Sequence, residues 1–175
     1  MARWIDRLLI LLFALAGFTS FVYTPMFLLG CGWEGLAQGA TGPCADSWVG
    51  RAWLGYTKVE PLYANIPIWL QMINEFDTYF FGWFYVFSLI VFLRGRQQHP
   101  GYRALATFMS GMMGYAMTFY LVWEVRTWRD TGADLQSVIV FNGMWVLLFV
   151  TLMLRLYLVP GPRPAPDRDA LQAAA

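Results

Sequence analysis

Four stretches of the chain, residues 8–29, 66–93, 104–125 and 138–158, are apolar almost throughout. At ~1.5 Å of rise per residue, each is long enough to cross the ~30 Å hydrocarbon core of a bilayer as a helix. The pattern predicts an all-α fold, an integral membrane four-helix transmembrane bundle. A single domain is expected over residues 1–160, with a disordered tail over residues 161–175, GPRPAPDRDALQAAA. The first stretch follows Arg3, Trp4 and Arg7. It is read as a retained span: the run is long for a signal peptide, and Tyr23, Pro25, Met26 and Phe27 make a poor small-residue cleavage site.

The connections differ in character. Residues 30–65 form a long loop that opens with turn signals (Gly30, Gly32, Gly35, Gly39, Gly42, Pro43) and continues with the aromatic run SWVGRAWLGY, which predicts an interfacial helix. Pro67 suits the first turn of the second span, where a missing N–H costs little. Residues 94–100 make a short basic turn containing His99, and residues 126–130 make a polar one. In the third span Ser110 and Gly114 lie four apart, a spacing that permits close approach of another helix, including one from a second copy in a homodimer.

Composition agrees with a membrane protein. Of the 175 residues 58% are hydrophobic and 13% charged, against about 25% charged in a soluble domain. A net charge of +1 leaves no basic surface for nucleic acid, which is excluded as a partner. The cationic residues also set an expected orientation. Arg3, Arg7, Arg94, Arg96, Arg103, Arg155, Arg163 and Arg168 fall on one side of the predicted spans, and Arg51, Lys58, Arg126 and Arg129 on the other. Eight against four predicts both termini in the cytoplasm, with a bacterial inner membrane favoured and the endoplasmic reticulum membrane as the alternative. Cys31 and Cys44 then share an outward loop, where a disulfide can persist. Neither has a metal-ligand spacing, and no metal or other cofactor is expected.

The polar residues inside the spans carry the candidate chemistry. An acidic side chain at the centre of a span costs roughly 2.5 kcal/mol or more, so it needs a partner or a cavity. Span two holds Asn74, Glu75 and Asp77; Glu124 and Asn142 fall in the same half of spans three and four. Residues two apart on a helix point about 200° away from each other, so Glu75 and Asp77 cannot form a matched pair. Asp77 shares a face with Asn74, Phe81 and Phe84, and Glu75 shares one with Gln71, Thr78 and Gly82. Desolvation favours the neutral acid for either. The plain alternative for all of them is interhelical hydrogen bonding, with Glu124 in a rim salt bridge beside Arg126.

Glu60-Pro-Leu-Tyr, Pro67-x-Trp69, Asp77 and Val91-Phe-Leu-Arg-Gly95, in that order and spacing, resemble the EXPERA domain, the four-helix module of the sigma-two receptor and of emopamil-binding protein, the sterol delta-eight/delta-seven isomerase. Tyr115 with Glu124, and Asn142-Gly-Met-Trp145, resemble later motifs of the isomerase. The resemblance implies an intramembrane pocket for a sterol-like or isoprenoid lipid. It implies acid/base roles for Asp77, Glu124 and Glu75, and substrate contacts from Glu60, Trp69, Asn74, Tyr115, Tyr120, Asn142 and Trp145. One departure lies in the first span, where the isomerase carries a His and a Glu four apart and this chain has Ser20 and Thr24. The expected function is therefore a membrane-embedded isomerase-like enzyme shifting a lipid double bond, with a non-catalytic lipid-binding or transfer protein as the alternative. A structural subunit of a larger membrane complex is a third reading.

Overall fold

A computed structural model describes residues 2–159, and the tail 161–175 lies outside them. The described residues contain helices and turns and no strand. Four helical segments are long and apolar enough to cross a membrane: Arg3–Gly30, Ile68–Leu93, Pro100–Thr131 and Leu135–Tyr157. They coincide with the four sequence-predicted spans. The third runs several residues further at each end, because His99 caps it and Gly132 stops it.

The first span is α1 (Ala2–Phe18), a π-helical turn at Thr19–Tyr23, and α2 (Thr24–Gly30). The loop that follows folds into α3 (Gly32–Ala37), two short 3₁₀ turns and α4 (Trp48–Tyr56). A 3₁₀ turn at Pro61–Asn65 leads to the second span: α5 (Ile68–Phe76), a second π-helical turn at Asp77–Phe81, and α6 (Gly82–Leu93). The third span is α7 (Pro100–Thr131) and the fourth is α8 (Leu135–Tyr157).

Local chemistry sets the boundaries. The Ser47 hydroxyl caps α4 by accepting from the Gly50 N–H at 2.9 Å. Pro67, expected in the first turn of α5, stands one residue earlier, as its extended N-cap. Pro100 opens α7, and the His99 Nδ1 accepts from the Gly101 N–H at 3.2 Å. Gly132, at φ 77°, ends α7 in the left-handed conformation that glycine adopts without strain. Asp134 then caps α8 through Ser137, and those two hydrogen bonds hold its carboxyl below the usual carboxylate range.

The interior is filled by Leu9, Phe13, Phe84, Tyr85, Leu148 and Leu152, among others. Large apolar side chains such as Leu11, Phe108 and Val140 face outward. An apolar exterior of this extent suits a hydrocarbon solvent. Where the first and last spans meet near Ala2 and Tyr157, Arg155 is 1% exposed. Its guanidinium donates to Asp6 of α1 at 2.5 and 3.1 Å and to the Val159 carbonyl at 2.7 Å. Gln97 donates to the same Asp6 carboxylate at 3.4 Å, joining the turn after span two to the clasp.

The opposite end is closed by the folded loop. Cys31 and Cys44 are joined in a disulfide across a sequence separation of 13. Gly50 lies directly on Cys44: a Cβ there would stand 2.2 Å from the Cys44 carbonyl oxygen. Beneath this cap, Trp53 stacks on Phe27 and Tyr23 and meets Trp33 edge-on at 5.5 Å. These rings give a loop of small residues an apolar body with which to sit on the bundle.

Candidate functional site

The two π-helical turns face each other. Gly82, just after the second, packs on Ser20 and Phe21 of the first, and a Cβ at Gly82 would lie 3.0 Å from the Ser20 Cβ. A π-helical turn widens the helix and releases backbone groups from regular pairing, and such turns concentrate at functional positions. Here they border a cavity of about 560 Å³ between the first, second and fourth spans, roofed by α4. Thr19, Tyr23 and Thr24 form one wall, and Asn74 and Asp77 a second. Phe141, Asn142 and Trp145 form a third, and Trp53 and Tyr56 come from the cap. An extension of about 50 Å³ reaches Tyr120, Met113 and Met117 of α7.

Asp77 opens the second π-helical turn and is half-buried at the cavity wall. The Tyr85 hydroxyl donates to its carboxylate, eight residues along the same span. The tyrosine reaches this far because helical side chains lean toward the N-terminus. The Tyr85 ring in turn stacks on Trp145 at 5.6 Å, which fixes the phenol against the cavity wall. The two asparagines are held alike. Asn74 Nδ2 donates to the Leu70 carbonyl at 2.8 Å and the Tyr63 hydroxyl at 3.2 Å. Asn142 Nδ2 donates to the Val138 carbonyl at 2.8 Å and the Tyr56 hydroxyl at 3.2 Å. Burial pushes the Tyr56 and Tyr63 phenols above their ordinary value, with the asparagine hydrogen bonds opposing it. Both phenols therefore stay neutral at physiological pH and remain able to donate.

Behind this wall lies a second acidic feature. Glu60 and Glu124 are each 0% exposed, and their carboxyl groups meet within hydrogen-bonding reach. Glu60 Oε1 accepts from the Leu62 N–H at 3.1 Å; Glu60 Oε2 and both Glu124 oxygens have no hydrogen-bond donor. Two facing carboxylates away from water repel, and no donor in the structure offsets that repulsion at three of their four oxygens. The Tyr120 hydroxyl lies beside that of Tyr56 and also lacks a partner. Tyr56 thus stands between the carboxyl pair and the cavity.

Of the residues singled out in the sequence, Asp77, Asn74, Asn142 and Trp145 share the cavity, and Tyr120 reaches its extension. Glu75 points to the cap, where its Oε1 accepts from the Trp33 indole N–H at 2.9 Å. Glu124 pairs with Glu60, and no ion pair joins it to Arg126 among the described residues. Trp69 rests against Phe119 and Trp123, outside the cavity lining. Tyr115 is 77% exposed on the outer face of α7. The sequence reading missed Tyr56, Tyr63, Tyr85 and Trp53. A tyrosine two turns along the span from Asp77 was a usable signal; Tyr63 closes the Glu60-Pro-Leu-Tyr motif and Trp53 and Tyr56 lie in the run SWVGRAWLGY, but neither pattern pointed to the cavity. Among the described residues no group of three or more His, Cys, Asp or Glu side chains is placed to hold a metal ion. Comparison with protein families, curated proteins and solved structures gives no match.

Proposed function

We propose that the chain is a membrane-embedded isomerase-like enzyme that moves a double bond in a sterol-like or isoprenoid lipid. The observation that carries this reading is the setting of Asp77. A carboxyl sits on a π-helical turn at the wall of a mostly apolar cavity, with Tyr85 as its hydrogen-bond donor and aromatic rings around it. The order and spacing of the EXPERA-like motifs support the same class of ligand.

In this scheme the Asp77 acid gives its proton to one alkene carbon. The π electrons form the new C–H bond, and the positive charge falls on the neighbouring carbon. Trp53, Phe141 and Trp145 line the space where that cation forms, and ring faces attract cations. The Asp77 carboxylate then takes a proton from the next carbon, the C–H electrons make the shifted double bond, and the acid is restored. One carboxyl in both roles balances the cycle. This suits the lining better than a second carboxylate from Glu75 or Glu124, since Glu75 is held by Trp33 and Glu124 lies behind Tyr56. Asn74 and Asn142 orient a hydroxyl on the substrate. The arginine distribution supports a topology with both termini in the cytoplasm and the disulfide-bearing cap outside, in a bacterial inner membrane.

A second reading is a lipid-binding or transfer protein. The observation favouring it is that Ser20 and Thr24 occupy the first-span positions where the isomerase carries a His and a Glu. Incubation of the purified protein with candidate sterols and isoprenoids in deuterated water separates the two. The enzyme incorporates one deuterium per shifted double bond, and Asp77→Asn lowers that rate by at least ~10²-fold. Lipids that bind tightly yet gain neither label nor a shifted bond would establish the binding protein instead.

A further inference from the structure

A groove on the outer face of the bundle, between α7 and α8, is separate from the cavity. It encloses about 520 Å³, and Ser110, Gly114, Phe149, Met153, Leu154 and Tyr157 are among its lining residues. Its walls run along the helix axes for about 12 Å from Tyr157 to Phe149, at ~1.5 Å per residue. One end is polar in a specific way. The Tyr157 and Thr107 hydroxyls are 2.6 Å apart, and the Arg103 guanidinium lies 4.6 Å over the Tyr157 ring. Arg103 Nε is buried with no acceptor. Among the described residues the ion pair is Arg155 with Asp6, so Arg103 has no acid beside it. Arg94 and Arg96 are exposed in the turn just before α7, at the same end.

We propose that this groove binds an anionic phospholipid, with one acyl chain along the Gly114 and Phe149 walls and the phosphate on Arg103. The chain segment needs an apolar slot parallel to the helices, and the groove supplies it. A phosphate supplies a charged acceptor for the accessible end of the half-buried Arg103 guanidinium, and guanidinium pairs strongly with phosphate. Arg94 and Arg96 add positive potential at headgroup level, where each cation attracts anionic lipid. Two other occupants fit less well. A second copy seated by a two-fold axis along the membrane normal places another Arg103 at the same depth and brings no acid to it from that level. A sterol presents a neutral hydroxyl and leaves the guanidinium without a counter-charge.

Two substitutions separate the halves of the site. Gly114→Leu fills the groove, and a Cβ at Gly114 meets nothing within 4 Å, so the bundle accommodates it. Arg103→Gln removes the cation and leaves the slot open. Delipidated protein is titrated with dioleoyl phosphatidylglycerol and, separately, dioleoyl phosphatidylcholine, and bound lipid is counted by native mass spectrometry. The wild type retains one phosphatidylglycerol in preference to phosphatidylcholine. Arg103→Gln loses about fivefold of that preference, the equivalent of one cation at the headgroup. Gly114→Leu retains neither lipid, while its helix content and elution volume match the wild type. Equal retention of the two lipids by the wild type overturns the proposal, as does undiminished phosphatidylglycerol on Gly114→Leu. A wild-type dimer that Gly114→Leu splits, with no lipid retained by either, overturns it in favour of a protein interface. None of these readouts depends on turnover at Asp77.

Discussion

Arg155 and Glu124 are both almost fully buried, on neighbouring spans, and the fold treats them in opposite ways. The Arg155 guanidinium meets an acid, a backbone carbonyl and, through Asp6, the Gln97 amide. Glu124 meets another acid, and neither of its oxygens has a hydrogen-bond donor. Complete pairing makes the first a clasp that closes the bundle. Incomplete pairing leaves the second with hydrogen-bonding capacity unused, one tyrosine away from a cavity. Buried polar groups in this molecule divide by whether their bonds are finished, and position along the sequence says little about which kind each is.

The comparison breaks most readily at the clasp. Arg155→Ala leaves the Asp6 charge without its partner beneath the bundle and is expected to cost about 3 kcal/mol or more. Thermal unfolding in detergent reads the loss. The double variant Asp6→Leu/Arg155→Met should recover most of it, because an apolar pair of similar volume replaces a buried ion pair at little cost. Opening the cap comes next. Cys31→Ser/Cys44→Ser removes a cross-link closing a loop of about 15 residues, worth about 3 kcal/mol at most, and the same assay under reducing conditions should match it for the wild type. Gly50→Ala forces a methyl against the Cys44 carbonyl and should cost about 1–3 kcal/mol.

The carboxyl pair should respond with a different sign. Glu124→Gln places an amide donor opposite Glu60, satisfying an oxygen that now lacks a partner, and should leave stability unchanged or raise it by up to ~1 kcal/mol. Glu124→Ala strands Glu60 and should lower stability by about 1–3 kcal/mol. Equal losses from the two would sink the view that the pair is unfinished. The smallest loss is expected from Tyr85→Phe, which removes the donor to Asp77 and should cost about 1 kcal/mol while the fold persists.

The spans were legible in the sequence because bilayer thickness imposes length and apolarity together. The opposed faces of Glu75 and Asp77 were legible as well, since the helical repeat fixes them, and Glu75 and Asp77 do point apart, one to Trp33 and one into the cavity. Partners across the fold were not legible. Glu60 pairs with Glu124 and Trp33 with Glu75 through tertiary contact, over separations that no local rule links. Arg155 carried an unused signal: it lies in LMLRLYL, an apolar run that demands an acid, and Asp6 is the acid nearest a span on that side. The π-helical turns left no composition mark, because a wide turn is a matter of backbone spacing.

That spacing has a consequence for how the second span tolerates change in length. A π-helical turn holds one residue more than the α-helical turn it replaces. Deleting a single residue between Asp77 and Phe81 would restore continuous α-helix from Ile68 to Leu93, and each residue turns the helix by about 100°. A deletion outside the wide turn would swing the C-terminal half, with Tyr85 and Ser88, relative to the half that carries Asn74; a deletion inside it would keep the two halves aligned and remove only the bulge. The cavity edge is in this sense a dislocation in the helix, and its alignment is written in the number of residues as much as in their identity.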